Sequence, residues 1–220
     1  MTYILGAKSL AREVLAVYRA LGRESEVRGF VEEPRLDDTV QLADRPILDE
    51  AALMAEGPSH HLVGGVGTPI RKTWFTRLLA RGFEFDTVVH PRACVDSTCR
   101  IGKGNVLLGS LTLSCDVTTG DHVVIYPGSV LTHDVVIGAY VTVCPGVVVG
   151  GGVRIGEQSW LGIGATVKDG VEIGRGSFVG AGAVVIRDVP ESALCYGNPG
   201  RTVRSIAPAD WRGLVSTSKA

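Results

Sequence analysis

The sequence predicts a small α/β layer followed by a triangular prism of parallel β-strands, and two patterns carry this prediction. From Val89 to Val185 an aliphatic residue returns at every sixth position, and sixteen of these seventeen positions hold Val, Ile or Leu, with Thr119 as the exception. A period of six fits neither an α-helix nor an alternating strand, so it indicates a fixed internal repeat. Before Val89, short apolar runs alternate with helical patterns, which is typical of a parallel α/β sheet.

The six-residue repeat has a simple geometric consequence. The position after the aliphatic residue is often Gly and the fifth position is usually small or β-branched, so each unit supplies two inward residues and one corner. Three units close a coil of eighteen residues, and coils stacked about 4.8 Å apart make a prism about five and a half coils tall. Residues eighteen apart are therefore expected to stack directly, with no insertion leaving the prism.

The elements before the prism follow in the order strand, helix, strand, helix, strand, helix. The predicted strands cover residues 3–5, 27–31 and 61–66, and the predicted helices cover residues 10–21, 49–55 and 70–81. In parallel sheets of this kind, ligands bind at the carboxyl ends of the strands. These ends are Gly6–Ser9, Glu32–Glu33 and Gly65–Thr68, which are therefore predicted to form a binding site.

Composition argues against several classes of function. The net charge is -1 and no run of Lys or Arg is present, so no nucleic-acid partner is expected. No apolar run approaches the roughly 18 residues of a membrane span and no leader pattern opens the chain, so a soluble, cytoplasmic protein is expected. The five cysteines form no CxxC pair, which suits reduced thiols; Cys99 lies in an inward slot, and all five are interpreted as small apolar fillers.

Three histidines lie in the repeat, and their positions predict different roles. His90 stands at the start of the first coil and is interpreted as structural, whereas His122 is interpreted as a solvated corner residue. His133 also lies at a corner, with Gly151 one coil above it. The bare glycine predicts an open slot beside the imidazole, wide enough for a thin ligand to pass along the prism.

These patterns resemble the hexapeptide-repeat acyltransferases, in which the repeat folds as a left-handed parallel β-helix. The N-terminal segment is similar to the small Rossmann-like domain of bacterial nucleotide-amino-sugar N-acetyltransferases and sialic acid O-acetyltransferases. The matching pieces are Ile4–Ala7 with Leu10–Val14, then Gly29–Glu33, Pro46–Leu48, Gly65–Gly67 with Arg71, and His90–Pro91. The resemblance implies a nucleotide-sugar-binding domain at 1–88 and a β-helix acyltransferase domain at 89–204. The segment 205–220 is short and polar at its end, so a frayed tail is expected there, with Trp211 and Leu214 as its plausible anchors.

The segment Thr132–Gly138 is similar to the family's motif of a His, an acidic residue, two apolar residues, Ile and Gly. By this resemblance His133 is the general base and Asp134 orients it. The amine would then attack the thioester of acetyl-CoA directly, without an acyl-enzyme. Gly151, in the coil above, is the candidate backbone donor to the tetrahedral oxyanion.

The resemblance also implies two binding sites and a homotrimer with active sites at subunit interfaces. Acetyl-CoA would bind in a groove between neighbouring prisms, near Thr142, Gly151, Gly162, Ile163, Ala165, Lys168 and Pro199. The sugar nucleotide would bind in the N-terminal domain, near Gly6, Ala7, Lys8, Ser9, Glu32, Glu33, Gly65, Gly67 and Arg71. The segment Tyr196–Arg201 resembles the family's Gly-Asn-Pro-Ala-Arg signature, and Thr142 stands where some members have a second histidine.

The expected activity is acetyl-CoA-dependent N-acetylation of a nucleotide-linked amino sugar, in polysaccharide or glycoconjugate precursor synthesis. Two alternatives stay open: O-acetylation of a sugar such as sialic acid, and a non-catalytic nucleotide-sugar-binding scaffold. A γ-type carbonic anhydrase is disfavoured because His122 and His133 lack the third imidazole that its zinc needs, so no metal is expected. The sequence leaves open the nucleotide (UDP, GDP, dTDP or CMP), the sugar, and the role of Asp116, one coil below Asp134.

Overall fold

The computed structural model describes residues 1–33 and 40–215. Its N-terminal part is a sheet in the strand order β3-β4-β2-β1-β5-β6, in which all neighbours are parallel except β3 and β4. The elements are β1 (Thr2–Leu5), α1 (Ser9–Ala20), β2 (Val27–Val31), β3 (Gln41–Leu42), β4 (Arg45–Leu48), α2 (Glu50–Glu56), β5 (His61–Gly64), α3 (Arg71–Leu79) and β6 (Glu84–Phe85). The predicted parallel α/β layer is confirmed, and β3, β4 and β6 extend it.

Local sequence explains where these helices lie. In α1 the side chains of Leu10, Val14 and Tyr18 are buried at helical spacing, and the chain leaves the helix through Gly22, whose φ of +68° favours glycine. At the start of α2 the carboxylate of Asp49 accepts a hydrogen bond from the backbone N–H of Ala52 at 2.7 Å, which satisfies one of the free donors at that helix end. Both helices therefore begin or end where the sequence supplies the expected residue.

The repeat folds as a three-sided coil of two-residue parallel strands. These strands are β7 (Val88–Val89), β8 (Cys94–Val95), β9 (Val106–Leu107), β10 (Thr112–Leu113), β11 (Thr118–Thr119), β12 (Val124–Ile125), β13 (Val130–Leu131), β14 (Val136–Ile137), β15 (Thr142–Val143), β16 (Val148–Val149), β17 (Arg154–Ile155), β18 (Trp160–Leu161), β19 (Thr166–Val167), β20 (Glu172–Ile173), β21 (Phe178–Val179) and β22 (Val184–Val185). Residues eighteen apart pair, as in Leu113 with Leu131 and Val149 with Val167. The predicted coil length is confirmed.

The prism interior is filled by the two predicted columns. Leu131 and Val149 from the aliphatic column and Val135 from the fifth position are fully buried, and each such side chain contributes about 1.5–3 kcal/mol through burial. The one polar member of the aliphatic column, Thr119, is also buried, and its hydroxyl accepts a hydrogen bond from the side chain of Asn105 at 2.6 Å. The exception in the pattern is therefore a satisfied polar pair inside the core.

The three faces of the prism differ in what lies on them. We name them the covered face (β7, β9, β12, β15, β18, β21), the open face (β8, β10, β13, β16, β19, β22) and the polar face (β11, β14, β17, β20). On the covered face, outward residues Val106 and Val124 are buried against Leu10 and Val14 of α1. The N-terminal layer thus sits on one side of the prism.

The C-terminal segment packs rather than frays, so that expectation is wrong for 205–215. After β23 (Ala193–Tyr196) and the antiparallel β24 (Arg201–Ser205), the short helix α4 (Trp211–Val215) lies against the prism. Trp211 is buried in a cluster with Phe178, Leu194 and Ile206. Of the predicted tail, residues 216–220 lie outside the described part of the chain.

The cysteines divide into two groups. Cys144 and Cys195 are buried and Cys99 packs partly against the prism core, as fillers should, but Cys94 and Cys115 are exposed, so the interpretation is wrong for these two. The reason is position: Cys94 occupies an outward slot and Cys115 a corner. The longest helix in 1–33 and 40–215 is α1 with 12 residues, and none of the described helices has the length and apolarity needed to cross a membrane.

Candidate active site

A pocket of about 550 Å³ opens at the carboxyl ends of β1, β2 and β5. Eight of the nine residues predicted to bind the sugar nucleotide line it: Gly6, Ala7, Lys8, Ser9, Glu32, Glu33, Gly65 and Gly67. The ninth, Arg71, is not among the lining residues. The pocket therefore lies where the strand ends in the sequence predict it, because the ends of parallel strands meet at one edge of the sheet.

Two glycines allow the loops of the pocket to approach one another. A Cβ at Gly6 would lie 2.9 Å from the carbonyl oxygen of Gly65, and a Cβ at Gly65 would lie 2.6 Å from the carbonyl oxygen of Leu5. Gly6 also has a φ of +99°, which other residues adopt only with strain. The turn after β1 and the turn after β5 therefore pack backbone against backbone, with no room for side chains between them.

The polar end of the pocket carries opposite charges side by side. The N-terminus of α1 begins at Ser9, so the positive end of the helix dipole lies at the pocket. Lys8 Nζ lies 3.9 Å from the carboxylate of Glu32, which is buried, while Glu33 is exposed. A dianionic group is favoured at the helix N-terminus, and hydrogen-bond donors are favoured at the carboxylates.

The other wall of the pocket is aromatic and apolar. It includes Trp74 from α3, Tyr126 and Trp160 from the prism, and Val215 from α4. These four residues were not predicted from the sequence. Large aromatic side chains at a corner of the repeat (126) and at an outward position (160) were an available signal, because such positions face either solvent or a partner surface. Nothing in the sequence around Val215 indicated that this residue lines the pocket.

His133 and Asp134 form a pair at the corner between the open face and the polar face, directly after β13. The imidazole Nδ1 donates to the carboxylate Oδ2 of Asp134 across 2.8 Å, in the tautomer that leaves Nε2 free to accept a proton. The sharp corner, with Asp134 at a φ of +59°, turns the two neighbouring side chains toward each other. Both side chains are about two-thirds exposed, at 63% and 67%.

Gly151 lies directly against the ring of His133. A Cβ at this position would lie 2.4 Å from the Cε1 atom of His133, so the glycine makes room for the imidazole itself. The backbone N–H of Gly151 donates to the carboxylate of Asp169 at 2.7 Å. The assignment of this N–H to the oxyanion stays a prediction, and it would require the donor to exchange its bond with Asp169 for one with the ligand.

The residues predicted to bind acetyl-CoA lie in two kinds of place. Ile163, Lys168 and Pro199 are exposed, and Ile163 and Lys168 mark the two edges of the open face. Ala165 points into the prism; its N–H donates to Gly162 at 3.1 Å and its carbonyl accepts from Val148 at 2.9 Å. The side chain of Ala165 faces inward, as fifth positions of the repeat do.

The comparisons with known proteins agree on the class of protein. Residues 116–151 and 152–187 match the family model described as bacterial transferase hexapeptide, six repeats. A GDP-perosamine-bound, CoA-bound structure of PerB from Caulobacter crescentus is 32% identical, covers 92% of this chain and 97% of its own, and superposes with a TM-score of 0.85. The chain belongs to the hexapeptide-repeat transferases.

Two further solved structures superpose over most of the chain. The acetyltransferase domain of PglB from Neisseria gonorrhoeae, in complex with acetyl coenzyme A, is 27% identical, with 92% of this chain and 98% of that chain covered and a TM-score of 0.84. WeeI from Acinetobacter baumannii is 25% identical, with 92% and 99% covered and a TM-score of 0.85. No curated protein sequence matches. The expected enzyme class, a CoA-dependent sugar acetyltransferase with a solenoid of the left-handed β-helix type, is confirmed.

Within this hexapeptide-repeat transferase, Arg71 lies in a buried cluster between the N-terminal layer and the prism. Its guanidinium donates to the carbonyl of Gly67 at 2.7 Å and the hydroxyl of Thr142 at 2.9 Å, and to the carbonyls of His122 at 2.7 Å and Val141 at 3.1 Å. Burial lowers its pKa to about 9. Arg71 was predicted to contact the sugar nucleotide and Thr142 to contact acetyl-CoA; both side chains are buried between the two parts of the chain.

His122 is also buried, so the interpretation as a solvated corner residue is wrong. Its ring stacks on Tyr140 with centroids 4.9 Å apart and meets Phe85 and Phe75 edge-on. The signal in the sequence was Gly104, eighteen residues earlier, where a Cβ would lie 2.5 Å from the ring. Burial, with a smaller contribution from the Arg71 charge and against the opposing effect of Asp121, lowers the pKa of His122 from 6.5 to about 4.

The buried His122 predicts an acid-sensitive contribution to stability. Because its folded-state pKa lies below the unfolded value, the unfolded chain takes up a proton here between about pH 6.5 and 4 while the folded chain does not. This part of the stability is present above pH 6.5 and is lost as the pH falls through that window. As the pH is lowered from 6.5 to 4, the melting temperature of the wild type is expected to fall more steeply than that of His122→Phe. Parallel plots of melting temperature against pH for the two proteins would contradict the prediction.

Proposed function

We propose that this enzyme transfers the acetyl group of acetyl-CoA to the amino group of a nucleotide-linked amino sugar. The observation that carries the proposal is the pocket of about 550 Å³ at the strand ends, with a helix N-terminus on one side and the prism on the other. The similar PerB structure holds CoA and GDP-perosamine, and the PglB domain holds acetyl coenzyme A. The proposed domains are residues 1–88, Rossmann-like, and 89–204, with a C-terminal segment from 205.

The pocket suggests an orientation for the sugar nucleotide. The diphosphate would lie at Gly6–Ser9, where backbone N–H groups and the dipole of α1 favour anions. The nucleoside would lie toward β2, where Glu32 and Glu33 accept hydrogen bonds from ribose hydroxyls or from base N–H groups. The sugar would then lie on the other side of β1, between the Gly65–Thr68 loop and Tyr126 on the prism edge.

His133 would act as the general base. As the amine nitrogen forms its bond to the thioester carbon, Nε2 of the imidazole takes the amine proton, and Asp134 holds the other ring nitrogen in the donating tautomer. Collapse of the tetrahedral adduct breaks the carbon–sulfur bond. The imidazolium returns the proton to the departing sulfur, so CoA is released as the free thiol. Direct attack needs no covalent enzyme intermediate, because binding holds the two substrates together.

The two halves of this site lie on different edges of the prism in one chain. The pocket reaches the prism edge at Tyr126. His133 lies seven residues later in the sequence, on the edge at the other side of the open face. Seven residues of extended chain span at most roughly 20 Å, which is the upper limit of the separation. If three prisms packed with their open faces toward a common axis, the Tyr126 edge of one copy would lie next to the His133 edge of the next copy. We therefore propose a homotrimer in which His133 serves the neighbour's pocket.

The open face is suited to such packing. Its outward residues carry no charge, and Val130 and Val148 stay 36% and 41% exposed in the single chain. The polar face, in contrast, presents Arg154 and Glu172. The outward residues of the open face are Cys94, Thr112, Val130, Val148, Thr166 and Val184. Acetyl-CoA would lie in the groove beside this face, where Ile163 and Lys168 are exposed at the edges.

Thiol release from acetyl-CoA tests the proposed function. The acceptors are UDP-, GDP- and dTDP-linked amino sugars, each paired with the same sugar nucleotide carrying a hydroxyl in place of the amine. Release of CoA with an amino sugar and not with its hydroxyl partner is the expected result. Release with the hydroxyl partners would assign an O-acetyltransferase, and nucleotide binding with no release at all would assign a binding scaffold.

The phosphate position predicts the effect of a charge at Ser9, the exposed first residue of α1. Ser9→Glu places a carboxylate where the diphosphate would bind, so KM for the sugar nucleotide is expected to rise about tenfold or more through charge repulsion. Folding is retained, because Glu is favourable in the first turn of a helix. Ser9→Gln has the same shape without the charge and should lose less; equal losses in the two variants would remove the diphosphate from this position.

A further inference from the structure

The carbonyl of Gly67 belongs to two environments at once. Gly67 lines the pocket, and its carbonyl oxygen accepts from the guanidinium of Arg71 at 2.7 Å and from the hydroxyl of Thr142 at 2.5 Å. Arg71 comes from α3 and Thr142 from the prism strand β15. A Cβ at Gly67 would lie 2.8 Å from the hydroxyl of Tyr126, so the loop lies flat against the prism at this point.

Arg71 extends the same link over two coils of the prism. Its second terminal nitrogen donates to the carbonyls of His122 and Val141, at 2.7 and 3.1 Å. The side chain is 2% exposed, and its two terminal nitrogens donate to three carbonyl oxygens and one hydroxyl, all of them neutral. A guanidinium buried among carbonyls in this way is costly unless its donors are satisfied, so these four contacts fix the geometry of the loop closely.

Thr142 stands out among the outward residues of the covered face. Its neighbours one coil away are Val124 below and Trp160 above, and Val106 and Phe178 continue the apolar column. A valine would fit the packing at this position as well as threonine does. What the hydroxyl adds is two hydrogen bonds: it donates to the carbonyl of Gly67 and accepts from the guanidinium of Arg71.

We propose that Thr142 and Arg71 are positioning residues that hold the Gly65–Thr68 loop against the prism and so set the place of the acceptor amino group relative to His133 of the neighbouring subunit. This inference rests on the proposed function. Neither side chain touches substrate, and both act through the Gly67 carbonyl. In such sites a displacement of about 1 Å can cost about a hundredfold in rate.

The test is Thr142→Val, which removes the hydroxyl and keeps the shape. Turnover with the sugar nucleotide is expected to fall about tenfold, while KM for acetyl-CoA changes little. The melting temperature is expected to fall as well, since the buried guanidinium of Arg71 loses one of its acceptors. Thr142→Ser, which restores the hydroxyl, is expected to return kcat to within about twofold of the wild type. The matched control is Thr118→Val, the same change at an outward position of the polar face. Wild-type turnover in Thr142→Val, or equal losses in the Val and Ser variants, would overturn the proposal.

Hydrogen exchange of the ligand-free protein separates this inference from the proposed function. Faster exchange in the peptide that contains Gly65–Thr68 is expected in Thr142→Val and not in Thr142→Ser or Thr118→Val. Unchanged exchange in Thr142→Val would overturn the positioning role whether or not the enzyme acetylates an amino sugar. Conversely, absence of thiol release by the wild type would reject the proposed function and leave the loop measurement intact.

Discussion

The variant His133→Ala is expected to keep its fold and its assembly and to lose at least about two orders of magnitude in kcat, the usual contribution of a general base. The side chain is 63% exposed and fills no core position, so its removal leaves the packing of the prism unchanged. What is lost is the Nε2 acceptor, which the bond from Nδ1 to Asp134 leaves directed away from that carboxylate. Thiol release at saturating substrates measures kcat directly.

The chain offers a matched control for this experiment. His61 pairs with Asp86 at the same 2.8 Å and is also exposed, but it lies on β5 of the N-terminal layer. His61→Ala therefore removes an equivalent surface pair and should leave kcat near the wild-type value. If His133→Ala retained more than about a tenth of wild-type turnover, a role as the base would be excluded on the expected magnitude.

Mixing two impaired variants is expected to raise the activity above that of either variant alone. His133→Ala supplies an intact pocket, Ser9→Glu supplies an intact imidazole, and a site shared between subunits needs one part from each. In randomly mixed trimers roughly a quarter of the sites would combine both intact parts, so about a quarter of wild-type activity should return at limiting sugar nucleotide. The reason is the separation of the two parts across the open face of each chain.

Co-expression with two different tags allows the mixed species to be purified and assayed. The negative control is the same pair of proteins expressed separately and combined without subunit exchange, which should show only the sum of the parental activities. No recovery in the mixed trimers would place pocket and imidazole in one subunit, and it would contradict the proposed arrangement. A monomer in solution would do the same.

The prism was predictable from the sequence because its pattern is local. The six-residue period determines which residues face inward, which stack eighteen apart and which stand at corners, and the structure follows it from Val89 to Val185. The pocket was predictable for a related reason, since strand ends such as Gly6 and Glu32 are visible in sequence and parallel strands bring them to one edge. Glycines stacked next to His133 and His122 were visible as well.

The contacts between the N-terminal layer and the prism could not be predicted in the same way. The repeat does not reveal which of the three faces is covered, so a corner such as His122 or an outward residue such as Thr142 looks solvent-exposed in sequence. Arg71 meets Thr142 from 71 positions away. Local sequence rules, such as those for proline and glycine, cannot predict such pairs, because these pairs depend on how two surfaces pack together.

The wall that α4 contributes to the pocket has a consequence for the evolution of the chain. Val215 follows the last coil, whereas Trp74 precedes the first, yet both line the same cavity. Duplicating or deleting one coil between them would move one wall by a full strand spacing, about 4.8 Å. Repeats in other proteins are duplicated readily, but here the number of coils is restricted, because the cavity needs both walls at a fixed separation. Homologues that keep this C-terminal helix should therefore keep the coil count, and length variation should appear in lineages that have lost it.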